Sequence, residues 1–171
     1  PVANSFSLDP TDPAYQSLSE GQAQTVTVNY GVTDGIAVTA AKVTFTVIGA
    51  NDGPVVTGSQ SFSATEDSLI QVVNPLANVA DVDQLDHLSI VPAALPDGLQ
   101  TISVPGGYYM PDIVKTVFNP GAPDFQSLAQ GEVRTFSWDY QVTDGHATTS
   151  NSATFTVTGV NDAPVIVVPV G

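Results

Sequence analysis

The sequence contains no cysteine, and only three of its 171 residues are lysine or arginine. Without cysteine the chain has no disulfide bonds and no thiolate ligands, and with two histidines it is poorly equipped to bind zinc or copper. Because proteins bind nucleic acid mainly through lysine and arginine contacts to phosphates, this shortage argues against a nucleic-acid partner. Seventeen acidic residues give a formal net charge of −14, which repels phosphate backbones.

Segments and motifs of other functional classes are also missing. No apolar run is long enough to cross a membrane as a helix, and there is no signal peptide or lipidation motif, so we expect no membrane insertion by this segment. The signatures G-x-S-x-G and H-E-x-x-H, the P-loop and the dinucleotide-binding motif do not occur. We interpret His87 and His146 as surface or loop residues, and we do not expect an enzyme.

The chain contains an internal repeat. Residues 127–165 repeat residues 17–55 without a gap, and 20 of the 39 aligned pairs are identical. The first copy begins SLSEGQAQTVTVNYGVTDG and the second SLAQGEVRTFSWDYQVTDG. An offset of 110 residues is too long for a solenoid, whose units span about 20–50 residues, and it suits a series of globular domains. We therefore expect a slice of a tandem array.

The hydrophobic pattern is that of β-strands, because residues 25–30 and 134–140 alternate polar and apolar side chains. We predict an all-β fold, an immunoglobulin- or cadherin-like antiparallel Greek-key sandwich in tandem repeats. The predicted strands A to G of the complete repeat lie near residues 55–63, 68–74, 87–92, 98–104, 113–119, 133–142 and 152–160. The side chains expected to face inward or to be half-buried include Val133, Phe136, Trp138, Tyr140, Phe155 and Val157.

The repeat also predicts the domain boundaries. Residues 1–53 correspond to the C-terminal half of a preceding repeat, with strands E to G, and residues 54–163 to a complete repeat. Residues 164–171 are the start of the next repeat or a covering strand. Three strands cannot close a sandwich, so the half repeat leaves an apolar face open. Upstream chain, a neighbouring repeat or a second copy in a strand-exchanged homodimer could cover that face, and the sequence does not choose among them.

Fourteen of the 17 acidic residues are aspartate, and eight of these, together with Glu66, lie in loops at the two predicted ends of the complete repeat. One end holds Asp52, Asp81, Asp83, Asp86 and Asp144, and the other Glu66, Asp67, Asp124 and Asp162. Such carboxylates repel one another unless a cation neutralises them, and Ca²⁺ takes about six to eight oxygen ligands. The alternative is that individual aspartates form Asx turns. The sequence also does not separate cation ligands from a pair of carboxylates for glycoside hydrolysis.

The segment TEDSLIQVVNPLANVADVDQLDHLSI, the pattern DPAYQSL..GQ…YGVTDG and the ending NDAPV resemble the VCBS and cadherin-like repeats of giant bacterial RTX adhesins. The resemblance covers nearly all of the chain. It implies sandwich modules joined end to end, with Ca²⁺ and neighbouring repeats at each junction. It further implies an extracellular stalk at the bacterial cell surface that is exported by type I secretion and spaces ligand-binding domains from the cell, in adhesion and biofilm formation.

The resemblance also implies a set of Ca²⁺ ligands. They are Asp52, Asp81, Asp83 and Asp144 at one junction and Glu66, Asp67 and Asp162 at the other. The chain departs from the family pattern where Gln84-Leu85 replaces the glycine that usually follows the Asp-Val-Asp stretch, so Asp86 is not assigned as a ligand.

A second function, ligand binding, is suggested by the predicted connection between strands D and E. Residues 105–111 place Tyr108 and Tyr109 on a glycine-flanked loop. An exposed tyrosine pair can stack on a glycan or anchor a protein partner. The alternative is that these rings fold over the end of the sandwich as structural residues.

Overall fold

The computed structural model describes residues 5–104 and 113–164, and within them it contains strands, turns and bends but no helix. The all-β prediction is therefore confirmed. The strands, numbered in chain order, are β1 Ala23–Thr33, β2 Val38–Ile48, β3 Val55–Val56, β4 Gln60–Thr65, β5 Gln71–Val73, β6 Val79–Ala80, β7 Ser89–Ile90, β8 Leu99–Val104, β9 Ile113–Phe118, β10 Val133–Thr143 and β11 Thr148–Thr158.

The strands form two main sheets and two smaller pairs. The four-stranded sheet has the order β4-β11-β10-β7, and the three-stranded sheet has the order β5-β9-β8. Strand β4 runs parallel to β11, whereas β9 is antiparallel to both β5 and β8. The smaller pairs are the β1-β2 hairpin and the short β3-β6 pair.

The alternation along β10 decides which side chains enter the core. Trp138, Tyr140 and Val142 occupy even-numbered positions and are all buried. The prediction that Trp138 lies in the core is thereby confirmed. The prediction for Val133 is wrong: its side chain is 58 % exposed, because an odd-numbered residue of this strand points to the opposite face.

The core of the complete repeat is an aromatic cluster that joins the two sheets. The ring of Phe155 on β11 lies 5.1 Å, centroid to centroid, from the rings of Phe62 on β4, Phe118 on β9 and Phe136 on β10. Phe125, from the connection before β10, stacks on Phe136 at 5.8 Å. Since Phe118 belongs to the three-stranded sheet and Phe155 to the four-stranded sheet, the two sheets pack face to face.

The predicted strands D to G are present as β8 to β11, within a few residues of the expected bounds. Predicted strand A is divided into β3 and β4, and predicted strand C shortens to the two residues of β7. Strand β6 was not predicted. Its two residues pair with β3, and so short a pairing leaves no alternation in the sequence.

The half repeat reproduces only part of this arrangement. Strands β1 and β2 begin and end 110 residues before β10 and β11. The strand E that was predicted for residues 1–53 is not formed in residues 5–22, which are turns and irregular chain. In the complete repeat, strand E is β9, which pairs on both sides with β5 and β8. The half repeat contains no counterparts of those two strands, so its segment lacks ladder partners.

The chain divides into two compact units. The first consists of Pro1–Val55, Ala80–Ser89 and Thr143–Thr149, and the second of Val56–Val79, Ile90–Val142 and Ser150–Gly171. In the first unit, a cavity of about 250 Å³ opens among Leu8, Tyr15, Val26 and Phe45. The residues 110 positions later are Phe118, Phe125, Phe136 and Phe155, the closed aromatic core. These four residues of the half repeat are half-buried, so this face is less completely covered than the aromatic core of the complete repeat.

Candidate cation site

Three segments of the first unit bring the predicted ligands of one junction together. They are the linker after β2, the loop that follows β6 and the turn between β10 and β11. The backbone N–H of Asp52 donates to Oδ2 of Asp83 at 2.9 Å, and Nδ2 of Asn51 donates to Oδ2 of Asp144 at 3.2 Å. The linker, which precedes the complete repeat, thus contacts both loops, as the sandwich topology led us to expect.

The Asp-Val-Asp stretch folds on itself before it meets the linker. The backbone N–H of Asp83 donates to Oδ1 of Asp81 at 2.9 Å, an Asx turn that orders the loop. Asp83 is only 4 % exposed, and Asp81 is half-buried. Burying a carboxylate disfavours its charged form unless hydrogen bonds or a cation compensate.

The carboxylate of Asp144 accepts hydrogen bonds within its own turn. Its Oδ1 accepts the backbone N–H groups of His146 and Ala147, both at 2.6 Å. Burial opposes the charge of Asp144, but these two N–H groups and the Asn51 amide stabilise the carboxylate, so the pKa of Asp144 lies below its ordinary value. Asp34 forms the same turn in the half repeat. A turn-forming role therefore accounts for Asp144 without a cation.

The loop and linker also contain four oxygen atoms that are buried and have no hydrogen-bond partner among the described residues. They are Oδ1 of Asn51, Oδ2 of Asp81, Oδ1 of Asp83 and Oδ2 of Asp86. Buried polar atoms are almost always paired, so four unpaired oxygens in two neighbouring segments require an explanation. A bound cation would supply one, because oxygen atoms are the ligands that Ca²⁺ prefers.

Two of these four residues were not assigned as ligands from the sequence. Asn51 opens the linker motif Asn-Asp-Gly-Pro, which recurs as Asn-Asp-Ala-Pro at residues 161–164, and that recurrence is the signal that could have identified it. Asp86 was set aside because of the departure at Gln84-Leu85. Asp52, which was assigned, is exposed and contacts the site through its backbone.

The donor set fits Ca²⁺ better than a transition metal. Its four buried oxygens come from three carboxylates and an amide, and oxygen is the ligand atom that Ca²⁺ prefers. Within residues 5–104 and 113–164, however, no three His, Cys, Asp or Glu side chains are grouped so that they could hold a metal ion, and this includes the carboxylates of Asp81, Asp83 and Asp86. A Ca²⁺ ion held here would therefore need backbone carbonyls or waters among its ligands.

A short segment of the half repeat also contacts the same loops within the first unit. The backbone N–H of Leu85 donates to Oγ of Ser19 at 3.0 Å, and the N–H of Gln84 donates to the carbonyl of Ser17 at 3.3 Å. Nδ1 of His146 lies 2.7 Å from Oε2 of Glu20. These contacts hold the acidic loop against residues 17–20.

The predicted ligands at the other end are not gathered in the same way. In the second unit, Glu66 is 1 % exposed, and its Oε1 accepts the backbone N–H of Val160 at 2.7 Å. Its Oε2 is buried and has no hydrogen-bond partner in the part of the chain that the structure describes. Asp67 and Asp162 are exposed. Glu66 is thus the one residue of this set whose burial and unpaired oxygen suggest a ligand. Tyr108 and Tyr109 lie outside the described residues.

Residues 51–158 match the family model of the bacterial Ig domain, and the chain therefore belongs to that family. The immunoglobulin-like sandwich predicted from the sequence is confirmed. No curated protein matches the chain. Bacterial Ig domains are usually extracellular or surface-exposed, and Ig-like families are typically non-enzymatic. The family indicates an extracellular module of structural or adhesive type.

Several solved structures resemble the chain distantly. An endo-fucoidan hydrolase, MfFcnA4 from glycoside hydrolase family 107, shares 20 % identity over 80 % of this chain and 19 % of its own, with a TM-score of 0.40. Mouse clustered PcdhgC3 EC1-3 shares 15 % identity over 89 % of this chain and 46 % of its own, with a TM-score of 0.44. Protocadherin gamma C5 EC1-3 shares 11 % identity over 91 % of this chain and 47 % of its own, with a TM-score of 0.43. The chain spans about a fifth of the hydrolase and less than half of each protocadherin, so these likenesses carry no functional argument.

No helix among the described residues is long and apolar enough to span a membrane.

Proposed function

We propose that this chain is a structural extender module whose junction is stiffened by Ca²⁺, in the stalk of a large adhesin at the bacterial cell surface. The observation that carries the proposal is the set of four buried, unpaired oxygens from Asn51, Asp81, Asp83 and Asp86. Membership in the bacterial Ig domain family and the tandem repeat support the structural role. The resemblance to VCBS repeats of RTX adhesins supports the adhesin stalk and type I secretion.

The physical basis of the proposal is electrostatic. Without a cation, the carboxylates of Asp81, Asp83 and Asp86 repel one another within one loop, and their buried oxygens are unsolvated. A bound Ca²⁺ would neutralise the repulsion and give those oxygens a partner. Because Asn51 belongs to the linker and the aspartates belong to the loop after β6, the same ion would tie the linker to the loop.

Binding would also stabilise the folded chain, because a ligand that binds only the native state lowers its free energy. At a Ca²⁺ concentration a hundred times the Kd, the gain is about 2.7 kcal/mol. Glu66 offers a second position at which Ca²⁺ would be held, at the opposite end of the complete repeat.

The test compares the chain in millimolar Ca²⁺ with the chain in a chelator, with Mg²⁺ as the control cation. We expect Ca²⁺ to raise the melting temperature by several degrees and to lengthen the maximum dimension measured by small-angle X-ray scattering. Mg²⁺ should change the melting temperature and the maximum dimension less, because it requires octahedral geometry and loses its bound waters reluctantly. If neither quantity differs between Ca²⁺ and chelator, the proposal is wrong.

A further inference from the structure

The second unit contains an open groove of about 790 Å³ that none of the roles described above uses. Its size lies within the range of about 300–1,000 Å³ that is usual for small-molecule sites. Its lining includes Asp139, Tyr140, Gln141, Ser150, Asn151 and Ser152.

The groove opens beside β11, where residues 57–59, between β3 and β4, are not paired with that strand. Strand β4 pairs with β11 only from Gln60 opposite Ala153 onward. The preceding residues are held elsewhere: the backbone N–H of Thr57 donates to the carbonyl of Asn78 at 2.8 Å, and Nδ2 of Asn78 donates to the carbonyl of Gly58 at 3.3 Å. Residues 57–59 therefore stay off the first part of β11, and the space between them is left open.

Four of the residues that line the groove are polar and lie on the neighbouring strands β10 and β11. Asp139 and Gln141 lie on β10, and Ser150 and Ser152 on β11. The side chains of these four residues form no hydrogen bond with any described residue, whereas Asn151 and Tyr140 beneath them are tied to the carbonyl of Pro75. The groove thus presents a carboxylate, an amide and two hydroxyls above a fixed floor.

These side chains belong to this repeat and not to the repeat pattern. The residues 110 positions earlier are Asn29, Gly31, Ala40 and Lys42, so none of the four polar groups recurs in the half repeat. The surrounding strands, in contrast, have matching bounds in the two copies. Two of these counterparts, Asn29 and Lys42, are also polar, so what is particular to this repeat is the Asp139 carboxylate, the Gln141 amide and the two serine hydroxyls.

The chemistry of the lining defines the class of ligand. Tyr140, the one aromatic residue of the lining, is only 4 % exposed, so the groove offers no exposed ring, and recognition in it depends on hydrogen bonds. Asp139 and the net charge of −14 disfavour sulfated, phosphorylated or uronic ligands. Carboxylates, amides and hydroxyls are instead suited to a neutral ligand with many hydroxyl groups, because each can accept or share a hydroxyl proton.

We propose that this groove binds a neutral oligosaccharide. In this assignment, Asp139 accepts hydrogen bonds from sugar hydroxyls, and Gln141, Ser150 and Ser152 donate and accept around it. The proposed activity is binding and not cleavage, because Asp139 is the only acidic residue of the lining and glycoside hydrolysis generally uses two carboxyl groups. We expect binding in the groove to be independent of Ca²⁺, because none of its lining residues is among the four with buried, unpaired oxygens in the candidate cation site.

The experiment is saturation-transfer-difference NMR on the full chain with neutral trisaccharides of glucose, galactose and mannose, followed by titration of any that bind. We expect at least one to bind, and we expect the Asp139→Ala, Gln141→Ala double variant to weaken it by about tenfold or more. The control Asp97→Ala removes one exposed carboxylate outside the groove and should bind like the parent. Circular dichroism should show that both variants are folded.

Three outcomes would overturn the proposal. One is that none of the trisaccharides gives a transfer signal. Another is that the double variant, folded by circular dichroism, binds as tightly as the parent. The third is that an oligogalacturonate binds more tightly than the neutral sugars. Repeating the titration in chelator separates this site from the cation site, because the affinity should not change.

Discussion

The backbone N–H of Asp52 donates a 2.9 Å hydrogen bond to Oδ2 of Asp83, which lies 31 residues later in the chain. The bond occupies one oxygen of a buried carboxylate, and the other, Oδ1, has no hydrogen-bond partner within residues 5–104 and 113–164. The linker and the acidic loop are therefore in contact without a cation, and in the proposed function the unused oxygen is one that Ca²⁺ would bind.

The first prediction concerns that carboxylate. Replacing it in Asp83→Asn keeps an oxygen that can accept from Asp52 but removes the negative charge. We expect the variant to be as stable as the parent in chelator and to lose at least half of the Ca²⁺-dependent rise in melting temperature, measured by differential scanning calorimetry. Asp97→Asn is the matched control and should keep the full rise. A full rise in Asp83→Asn would contradict the cation site.

The second prediction concerns the buried hydrogen bond between Glu66 and Val160. Its Oε1 accepts the Val160 N–H, so Glu66→Ala leaves that donor unpaired and should cost about 1–3 kcal/mol in urea unfolding. Glu66→Gln retains an acceptor and should cost less, because it removes only the buried charge. Asp67→Asn changes an exposed neighbour and should stay within about 0.5 kcal/mol. Equal losses in the alanine and glutamine variants would be inconsistent with this account.

The aromatic core predicts a difference between equivalent positions of the two repeats. Phe155 is fully buried among three other rings, so Phe155→Ala should destabilise its unit by about 3–5 kcal/mol. Its counterpart Phe45 borders the uncovered cavity, and Phe45→Ala should cost clearly less. Chemical denaturation, followed by tryptophan fluorescence and by NMR for the two units, measures both. Equal costs would mean that the half repeat is covered.

A comparison of two glycines distinguishes the cost of backbone strain from the cost of steric crowding. Gly98 and Gly131 have φ values of +85° and +80°, so alanine at either position adopts a left-handed conformation at a cost of roughly 1–2 kcal/mol. A Cβ on Gly98 would also lie 2.6 Å from the Phe125 ring, whereas one on Gly131 meets nothing within 4 Å. Gly98→Ala should therefore cost about 1–3 kcal/mol more than Gly131→Ala in urea unfolding.

The hairpin of the half repeat makes a prediction about pH. The N–H groups of Ala37 and Ile36 hold the pKa of Asp34 below its ordinary value of 3.8. A carboxyl group whose pKa is lowered by folding contributes its full stabilisation at a pH above its ordinary pKa. This contribution is lost as the pH falls through the pKa of the folded state. Carbon-13 NMR titration should place the Asp34 midpoint below 3.8, and Asp34→Asn should remove this contribution to acid sensitivity. A midpoint at or above 3.8 would refute the effect.

The long strands could be predicted because their alternation is written in the sequence. Trp138 and Tyr140 mark the buried face of β10, and the predicted bounds of that strand differ from the observed ones by a single residue at the C-terminal end. The same reasoning could not find β6 or divide strand A. These short pairings depend on which chain lies beside them and not on a local pattern.

The sequence predicted which segments meet at the candidate site, but not which of their oxygen atoms are free. Topology alone placed the loop with Asp81 and Asp83 beside the linker. Which oxygens remain free depends on the hydrogen bonds that each residue makes in the folded chain. Asp144 forms its own turn, which is the alternative that the sequence left open for individual aspartates, and Asn51 enters the site although no charge marks it in the sequence.

The parallel pairing of β4 with β11 has a mechanical consequence. These strands lie at the start and the end of the complete repeat, and six residue pairs join them, from Gln60–Ala153 to Thr65–Thr158. A pull that draws the start of β4 and the end of β11 apart loads this pairing in shear, so its hydrogen bonds resist together instead of opening one by one. A module built in this way resists tension along its length more strongly than a hairpin that can be peeled from one end.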